Sequence, residues 1–282
     1  MEMAKIYDEI SKRTEENVKM TTGDYMGDDG LIYCGKCNTR KQSYIKNPFT
    51  GKMEAKYHMC NCMVARFEEE KKKEQQREFE RRVKDLRRVG FKDAAMQNWT
   101  FEKDDKADER LTTAMHNYVG KFNEFLKSGQ GLLLCGGVGT GKTFAAACVV
   151  NALIDKGVPC LMTNFSRLTN VISGLYDGKQ EYIDNLNRFR LLVIDDLSVE
   201  RSTEYVNEIV YSVIDSRYRA GLPMIITTNL TPEELKNTED IRRQRIYDRI
   251  LERCFPLVVD GKSRRRENLK NKYLDVKNML GI

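Results

Sequence analysis

Five short apolar runs recur along the C-terminal two thirds of the chain, and stretches long enough to form helices separate them. The runs are 132–135, 158–162, 191–194, 224–228 and 256–259. Strands that are buried on both faces have continuous apolar sequences, and the helices that connect them cover the two faces of a parallel sheet. The pattern therefore predicts an α/β domain over residues 93–282 with a central parallel sheet.

A different pattern fills residues 63–92, where charged residues dominate. Acidic residues lie three or four positions before basic ones, as Glu69 does before Lys73, which favours a solvated helix. The apolar residues form only a thin stripe of Phe67, Phe79, Val83 and Leu86. We predict a charged helical linker here, with a basic face for nucleic acid or a partner-docking helix as the alternative. Residues 1–26 have a weaker helical period, which predicts a short helix or a partly ordered arm.

The first apolar run leads directly into a glycine-rich loop. Residues 136–143 read Gly-Gly-Val-Gly-Thr-Gly-Lys-Thr, which matches G-x-x-x-x-G-K-[ST], and an alanine-rich helical stretch follows. A strand, this loop and a helix make a P-loop, whose backbone N–H groups and helix N-terminus bind phosphates. Lys142 would contact the β- and γ-phosphates, and Thr143 would hold Mg²⁺. The expected nucleotide contacts are Gly136, Gly137, Val138, Gly139, Thr140, Gly141, Lys142, Thr143 and Phe144.

Two later runs end in polar side chains that suit the same chemistry. The run at 191–194 ends in Asp195 and Asp196, which is the Walker B pattern. Asp195 would hold Mg²⁺, directly or through water, and Asp196 would orient or deprotonate the attacking water. The run at 224–228 is followed by Asn229, at the place of a sensor for the γ-phosphate or the lytic water. The same Asn also suits a turn before a helix cap.

Cysteines are concentrated in residues 31–62. Cys34 and Cys37 form a C-x-x-C pair, and Cys60 and Cys62 form a C-x-C pair. Four thiolates suit a tetrahedral zinc ion, which would stabilise a segment too small for a good core. His58 replacing one cysteine, a redox pair and incidental thiols are the alternatives. Between the pairs, a turn-rich segment predicts a β-ribbon.

Composition narrows the class of protein. The chain has 282 residues, 32% of them charged, and a net charge of +6, which permits an anionic partner. It has no apolar run near the roughly 20 residues that span a bilayer, and the charged N-terminus is unlike a signal peptide. We therefore expect a cytoplasmic protein without membrane contact, whose eight cysteines are not a disulfide framework.

Taken together, these motifs resemble those of the AAA+ ATPases of the DnaC/DnaI helicase-loader group. The likeness covers roughly residues 95–270 and rests on the P-loop with its helix, the stretch 191–200 and Ile226-Thr-Thr-Asn229. Ile246-Tyr-Asp-Arg-Ile-Leu-Glu-Arg253 resembles the arginine-finger segment, which implies that role for Arg249. Gly261-Lys-Ser-Arg-Arg265 resembles the second-sensor segment, which implies Arg265 as the sensor, with Arg264 and Arg266 as rivals.

The resemblance implies an AAA+ P-loop core with a reduced C-terminal lid, joined by a helical linker to a small zinc-binding domain. Residues 1–62 would bind the replicative hexameric helicase (DnaB-type), 63–92 would be the linker and 93–282 the ATPase domain. With ATP, Mg²⁺ and Zn²⁺ bound, the protein would assemble into a hexameric or spiral ring and deliver the helicase onto single-stranded DNA. Tyr176, Thr203 and Tyr205 would contact the DNA, although the tyrosines could instead be buried in the core.

Three other functions compete with this one. An IstB-like transposition helper ATPase has a closely similar core but would act on duplex DNA and a transposase. A P-loop kinase would not explain Arg249 and Arg265, and a small GTPase would need an Asn-Lys-x-Asp signature that the sequence lacks. Asp196 also stands where many AAA+ enzymes have Glu, which predicts weak hydrolysis that assembly or DNA stimulates.

Overall fold

The computed structural model describes residues 20–197, 203–261 and 263–280. Most of the arm predicted at 1–26 lies outside the described residues. Contacts divide the chain into two units, which meet in sequence between Phe79 and Glu80. No helix in the described ranges is both long enough and apolar enough to cross a membrane.

The N-terminal unit is built on two antiparallel strand pairs. Strand β1 (Tyr25–Met26) pairs with β2 (Ile32–Tyr33), and β3 (Gln42–Lys46) pairs with β4 (Met53–Tyr57). The predicted β-ribbon is the β3–β4 hairpin, whose turn is fastened by Asn47, because its Oδ1 accepts hydrogen bonds from the N–H groups of Phe49 and Thr50. Helix α1 (Asn61–Gly90) follows as one continuous helix.

A buried ion pair holds the start of this unit against its centre. Lys41 Nζ lies 2.5 Å from Asp24 Oδ2, and both side chains are at most 3% exposed. Asp24 also accepts hydrogen bonds from the backbone and hydroxyl of Thr21 and from the N–H of Gly35. The pKa of the Asp24 carboxyl is therefore well below its usual range, chiefly because of Lys41.

The second unit contains a five-stranded parallel sheet, as the apolar runs predict. Its strands are β5 (Gly131–Cys135), β6 (Cys160–Asn164), β7 (Leu191–Asp195), β8 (Met224–Thr228) and β9 (Cys254–Val258). Their spatial order is β6-β7-β8-β5-β9, and every neighbouring pair is parallel. The P-loop strand β5 is therefore separated from the Walker B strand β7 by β8.

Helices cover both faces of this sheet. On one face, residues of α2 (Glu109–Gly120), α3 (Phe122–Ser128) and α4 (Lys142–Asp155) pack against alternate strand residues such as Leu134 and Val193. On the other face, the packing helices are α5 (Phe165–Gly174), α6 (Lys179–Asn185), α7 (Glu204–Arg219), α8 (Pro232–Lys236) and α9 (Ile241–Arg253). A single helix follows β9 among the described residues, α10 (Arg264–Leu280).

A buried arginine fixes the starts of the two strands that carry the Walker B and sensor residues. Arg217 in α7 is 1% exposed and donates hydrogen bonds to the carbonyls of Phe189, Arg190 and Pro223. Those carbonyls lie in the loops that precede β7 and β8, so the guanidinium of Arg217 joins the two loops. Burial lowers the pKa of Arg217 to about 10, which leaves it charged at neutral pH.

All eight cysteines are free thiols. Four of them, Cys135, Cys148, Cys160 and Cys254, are buried in the second unit. Burial raises the pKa of Cys135 to about 11 and that of Cys148 to about 12, and it raises the pKa values of Cys160 and Cys254 further.

Candidate nucleotide site and metal centre

The predicted phosphate-binding residues meet at the carboxyl ends of three adjacent strands. The P-loop follows β5, Asn229 follows β8, and Asp195 ends β7. Since β8 lies between the other two strands, these three groups converge on one cavity of about 560 Å³. Parallel α/β sheets bind ligands at this edge.

Glycines allow the P-loop its tight path. Gly136 has φ +146°, and a Cβ there would lie 2.2 Å from the carbonyl oxygen of Val259, so only glycine fits without a shift. Gly141, at φ +103°, occupies the N-cap of α4 in a left-handed conformation. The N-terminus of α4 therefore lines the cavity, where the helix dipole favours an anion.

Lys142 lies at the centre of this loop and is 7% exposed. Its Nζ donates to the carbonyls of Gly136 and Gly137, at 2.7 Å each, and to Asn229 Oδ1 at 3.0 Å. Asn229 is thus in contact with the P-loop lysine. Asn229 also lies in the bend before the next helix, whose cap is Thr231 in a capping box with Glu234, so the turn expected before a helix cap is present at this position.

Two hydroxyls converge on the Walker B carboxylate. Asp195 Oδ1 accepts a 2.8 Å hydrogen bond from Thr143 Oγ1 and a 2.6 Å bond from Thr227 Oγ1. The Thr227 hydroxyl also accepts the N–H of Asp196, whose φ of +57° is unusual for a residue with a side chain. Adjacent hydroxyl and carboxylate oxygens are the ligands that Mg²⁺ prefers, so Thr143 and Asp195 fit the ion.

The cavity walls include most of the predicted nucleotide-site residues and six further residues. The predicted ones are Val138, Gly139, Thr140, Gly141, Lys142, Thr143, Phe144, Asp195, Asp196 and Asn229. The further residues are Trp99, Lys103, Asp105, Thr227, Thr228 and Arg264, of which Arg264 is the predicted rival of Arg265 as the second sensor. Thr227 was recognisable from its position two residues before Asn229, but nothing in the sequence pairs 99–105 with the P-loop.

Arg264 is the described arginine that reaches the P-loop. The backbone N–H of Arg264 donates to the carbonyl of Gly139, and the guanidinium of Arg264 lies against Gly141. Its Nη1 is 2.9 Å from Asp105 Oδ1 and 3.7 Å from Asp104 Oδ1. The side chain of Arg265 lies outside the described part of the chain, so the predicted sensor role of Arg265 stays a prediction.

The four cysteines of the N-terminal unit form one cluster. The sulfur atoms of Cys34, Cys37, Cys60 and Cys62 all lie within 4.8 Å of one another. Sulfur ligands of a tetrahedral zinc ion are about 3.8 Å apart, given Zn–S distances of about 2.3 Å. His58 is engaged elsewhere, because its Nε2 is 2.9 Å from Ser43 Oγ and its Nδ1 is 3.3 Å from the carbonyl of Met59. The cluster therefore fits a four-cysteine zinc site without His58.

The pKa values of Cys37 and Cys62 are shifted in opposite directions. The hydroxyl of Thr39, 3.0 Å from Cys37 Sγ, lowers the pKa of Cys37 to about 5. The pKa of Cys62 rises to about 12, because Cys60 and Cys34 crowd it at 3.3 and 3.5 Å. Four thiolates cannot share this space without a cation, and a bound divalent metal would deprotonate them.

A comparison with protein families shows which family the chain belongs to. The sequence model of the family described as IstB-like ATP binding protein matches residues 50–272. The chain belongs to this IstB-like family. The P-loop, Asp195 and Asn229 all lie within the matched residues.

Members of two functional groups are similar to this chain. The replicative helicase loader DnaI of Bacillus subtilis is 25% identical over 251 residues, which cover 83% of this chain and 78% of the relative. An ATP-binding protein in an insertion sequence of Mycobacterium tuberculosis is 26% identical over 185 residues, covering 64% of this chain and 72% of the relative. The predicted resemblance to helicase loaders is thereby confirmed, at low identity.

Solved structures confirm the fold. A crystal structure of DnaI superposes with a TM-score of 0.51 and 20% identity, covering 64% of this chain and 98% of that one. A crystal structure of the DnaC helicase loader gives 0.51 and 24% identity, covering 60% of this chain and 100% of the other. The second unit of this IstB-like protein thus has the AAA+ P-loop ATPase fold.

Arg249 is outside the nucleotide cavity of its own chain. It lies on α9, where its Nε is 2.7 Å from Asp215 Oδ1 and its Nη2 donates to the hydroxyl of Tyr211 at 2.8 Å. The guanidinium also stacks on the Tyr211 ring, with its carbon 4.7 Å from the ring centroid. Arg249 does not line the nucleotide cavity of its own chain, and its role as an arginine finger stays a prediction.

The residues predicted to contact DNA have different surroundings. Tyr176 is 95% exposed and Tyr205 is 45% exposed, so neither is buried in the core. Lys179 Nζ donates to the Tyr205 hydroxyl at 3.0 Å and lowers the pKa of that tyrosine. Thr203 serves as the N-cap of α7. The DNA contacts stay predictions.

Proposed function

We propose that this protein is an ATP-dependent loader that binds the replicative hexameric helicase and delivers it onto single-stranded DNA. The observation that supports this most directly is the similarity to the DnaI loader across 83% of the chain. The insertion-sequence relative matches only 64%. The four-cysteine cluster, in the unit predicted to bind the helicase, also favours the loader.

The residues of the cleft have the chemistry for ATP binding and hydrolysis. Lys142 would exchange its bonds to the Gly136 and Gly137 carbonyls for bonds to the β- and γ-phosphates. Thr143 and Asp195 would hold Mg²⁺, which supplies positive charge at the phosphates. Asp196 would orient or deprotonate the attacking water, and Asn229 would position it near the γ-phosphate.

Assembly would complete the site. We infer that Arg249 of one subunit reaches the nucleotide of its neighbour in a hexameric or spiral ring, while Arg264 or Arg265 contacts the phosphates from within the chain. Hydrolysis would then depend on assembly or on DNA, because an arginine finger stabilises charge that develops in the transition state. Tyr176, Thr203 and Tyr205 would line the DNA path, where aromatic rings stack on bases.

The deciding experiment is a pull-down of the full chain with the host's DnaB-type helicase, followed by a test of helicase delivery onto circular single-stranded DNA. We expect ATP-dependent delivery by the wild type. Variants with the cysteine cluster disrupted, such as Cys37→Ser, should lose helicase binding while keeping ATP binding. The proposal would be contradicted if the chain did not bind the helicase and did not change how the helicase loads.

A transposition helper is the second candidate, because the matched family is IstB-like and one relative comes from an insertion sequence. This function would require binding to duplex DNA and to a transposase. The same pull-down with a transposase in place of the helicase separates the two functions. Capture of the transposase alone would favour the helper.

A further inference from the structure

Trp99, on the wall of the nucleotide cavity, is held in place through its backbone. The buried side chain of Asn151, in α4, donates from Nδ2 to the carbonyl of Trp99 at 2.8 Å and to that of Met96 at 2.9 Å. Met96 lies within the short 3-10 helix Ala94–Asn98, and Trp99 is its C-cap. A single amide in the P-loop helix therefore sets the position of the segment that carries the tryptophan.

Arg87, near the end of α1, holds Asn151 from the other side. Its Nη1 donates to Asn151 Oδ1 at 3.2 Å and to the carbonyl of Gln97 at 3.4 Å, and its Nη2 pairs with the carboxylate of Asp155. Donors therefore face Oδ1 and carbonyls face Nδ2, so the Asn151 amide is fixed in one orientation. Both ends of this network lie in the second unit.

The Trp99 ring shares the cavity wall with the ring of Phe144, which directly follows the P-loop threonine. The two ring centroids are 5.9 Å apart and the planes are inclined by 39°. Aromatic faces of this kind stack on nucleobases and are tolerant of their exact placement. Because the P-loop would hold the phosphates, the nucleobase would lie against the rings of Trp99 and Phe144.

We propose that Trp99 packs against the nucleobase and that Arg87 and Asn151 are positioning residues that hold it there. The end of helix α1 is thereby linked to the base through three side chains. This inference rests on the proposed ATP site. Loss of the Arg87 hydrogen bonds should loosen residues 94–99 and weaken ATP binding by about three- to tenfold, the range of one or two hydrogen bonds.

The test uses the full chain and two ligands, Mg·ATP and inorganic tripolyphosphate with Mg²⁺. Calorimetry gives the two affinities, and Trp99, which is the chain's one tryptophan, gives an emission signal from the wall itself. The variant is Arg87→Gln. The control is Arg88→Gln on the same helix, whose side chain is 80% exposed and pairs with Asp85 at 4.0 Å.

Arg87→Gln should bind ATP about three- to tenfold more weakly, bind tripolyphosphate as the wild type does, and emit at longer wavelength. Arg88→Gln should match the wild type in its affinity for ATP, its affinity for tripolyphosphate and its emission wavelength. Trp99→Ala should lose ATP affinity selectively, and Trp99→Phe should restore most of it.

Two outcomes overturn the inference. One is wild-type ATP affinity in Arg87→Gln; the other is an equal loss for ATP and tripolyphosphate, which would place the effect at the P-loop. Failure of the wild type to bind either ligand would instead refute the ATP site and, with it, the proposed function.

Discussion

Lys142 illustrates how a residue of the P-loop depends on its surroundings. The carbonyls of Gly136 and Gly137 and the amide of Asn229 hold the ammonium group at the mouth of the loop. These three acceptors are neutral oxygen atoms. Phosphate oxygens, which carry negative charge, would form stronger hydrogen bonds to the same group.

Replacing Lys142 should therefore abolish tight nucleotide binding. We expect Lys142→Ala to weaken Mg·ATP binding by about a hundredfold or more, because charge-assisted hydrogen bonds are worth about 1.5–3 kcal/mol each. Calorimetric titration measures the change. Lys127→Ala, at an exposed position on α3, is the control and should bind normally. Retained affinity in Lys142→Ala would refute the P-loop assignment.

The sequence predicts those cleft residues that belong to a motif of consecutive or nearly consecutive residues. Lys142, Thr143, Asp195 and Asn229 each follow a buried strand, and the strand order brings them together. Trp99 and Asp105 could not be predicted in the same way, because their place depends on how 94–105 packs on α4. Their contacts join positions that are tens of residues apart, and no residue spacing encodes them.

At the scale of elements, the five strands were predictable because parallel strands buried on both faces are uniformly apolar. The order β6-β7-β8-β5-β9 was not predictable from those runs, since the runs carry no information about which strands are neighbours. The cysteine pairs predict the four-sulfur cluster, but the ion pair of Asp24 with Lys41 has no local signal. Its two residues are separated by 16 others and become buried together.

The cysteine cluster should make the N-terminal module depend on metal. We expect about one zinc per chain, and removal by a strong chelator should unfold residues 31–62, because this small segment has little other core. Elemental analysis and circular dichroism measure the two effects. Cys37→Ser should lower zinc content, whereas Cys148→Ala, in the second unit, should leave it unchanged. A folded module without metal would exclude the zinc site.

The ion pair of Asp24 gives the same unit a dependence on pH. Because the folded state lowers the pKa of Asp24, its stabilisation is complete above the unfolded pKa near 4 and is lost as the pH falls below that value. At pH 7 we expect Asp24→Asn to cost about 1–3 kcal/mol of unfolding free energy. Hydrogen exchange of the Lys41 amide, compared between wild type and variant from pH 6 to pH 3, should show this difference shrinking. A difference independent of pH would contradict the assignment.

At the scale of the whole molecule, the role proposed for Arg249 would depend on a second copy of the chain. Its own nucleotide cavity does not include it, and Asp215 and Tyr211 hold it on the surface of α9. The sequence indicates the segment through its family resemblance but cannot supply the neighbour. The number of subunits is likewise a property of an interface that no local pattern encodes.

Removing Arg249 should separate binding from turnover. We expect Arg249→Ala to bind ATP normally and to lose about a hundredfold or more of the assembly-dependent hydrolysis, because an arginine finger contributes in the transition state. Steady-state phosphate release with helicase and DNA present measures it. Arg219→Ala is a matched control, since Arg219 also pairs with Asp215 and is 75% exposed. Equal turnover in the assembled wild type and Arg249→Ala would rule out the finger.

The buried thiols of the second unit have a practical consequence for studying the first. Cys135, Cys148, Cys160 and Cys254 are shielded and stay protonated at neutral pH, because burial raises their pKa values, and alkylating reagents attack thiolates. A native chain treated with iodoacetamide should therefore gain up to four labels when stripped of metal, all on the cysteine cluster, and almost none when loaded. Mass spectrometry resolves chains by their number of labels and would therefore give the fraction of chains that carry metal.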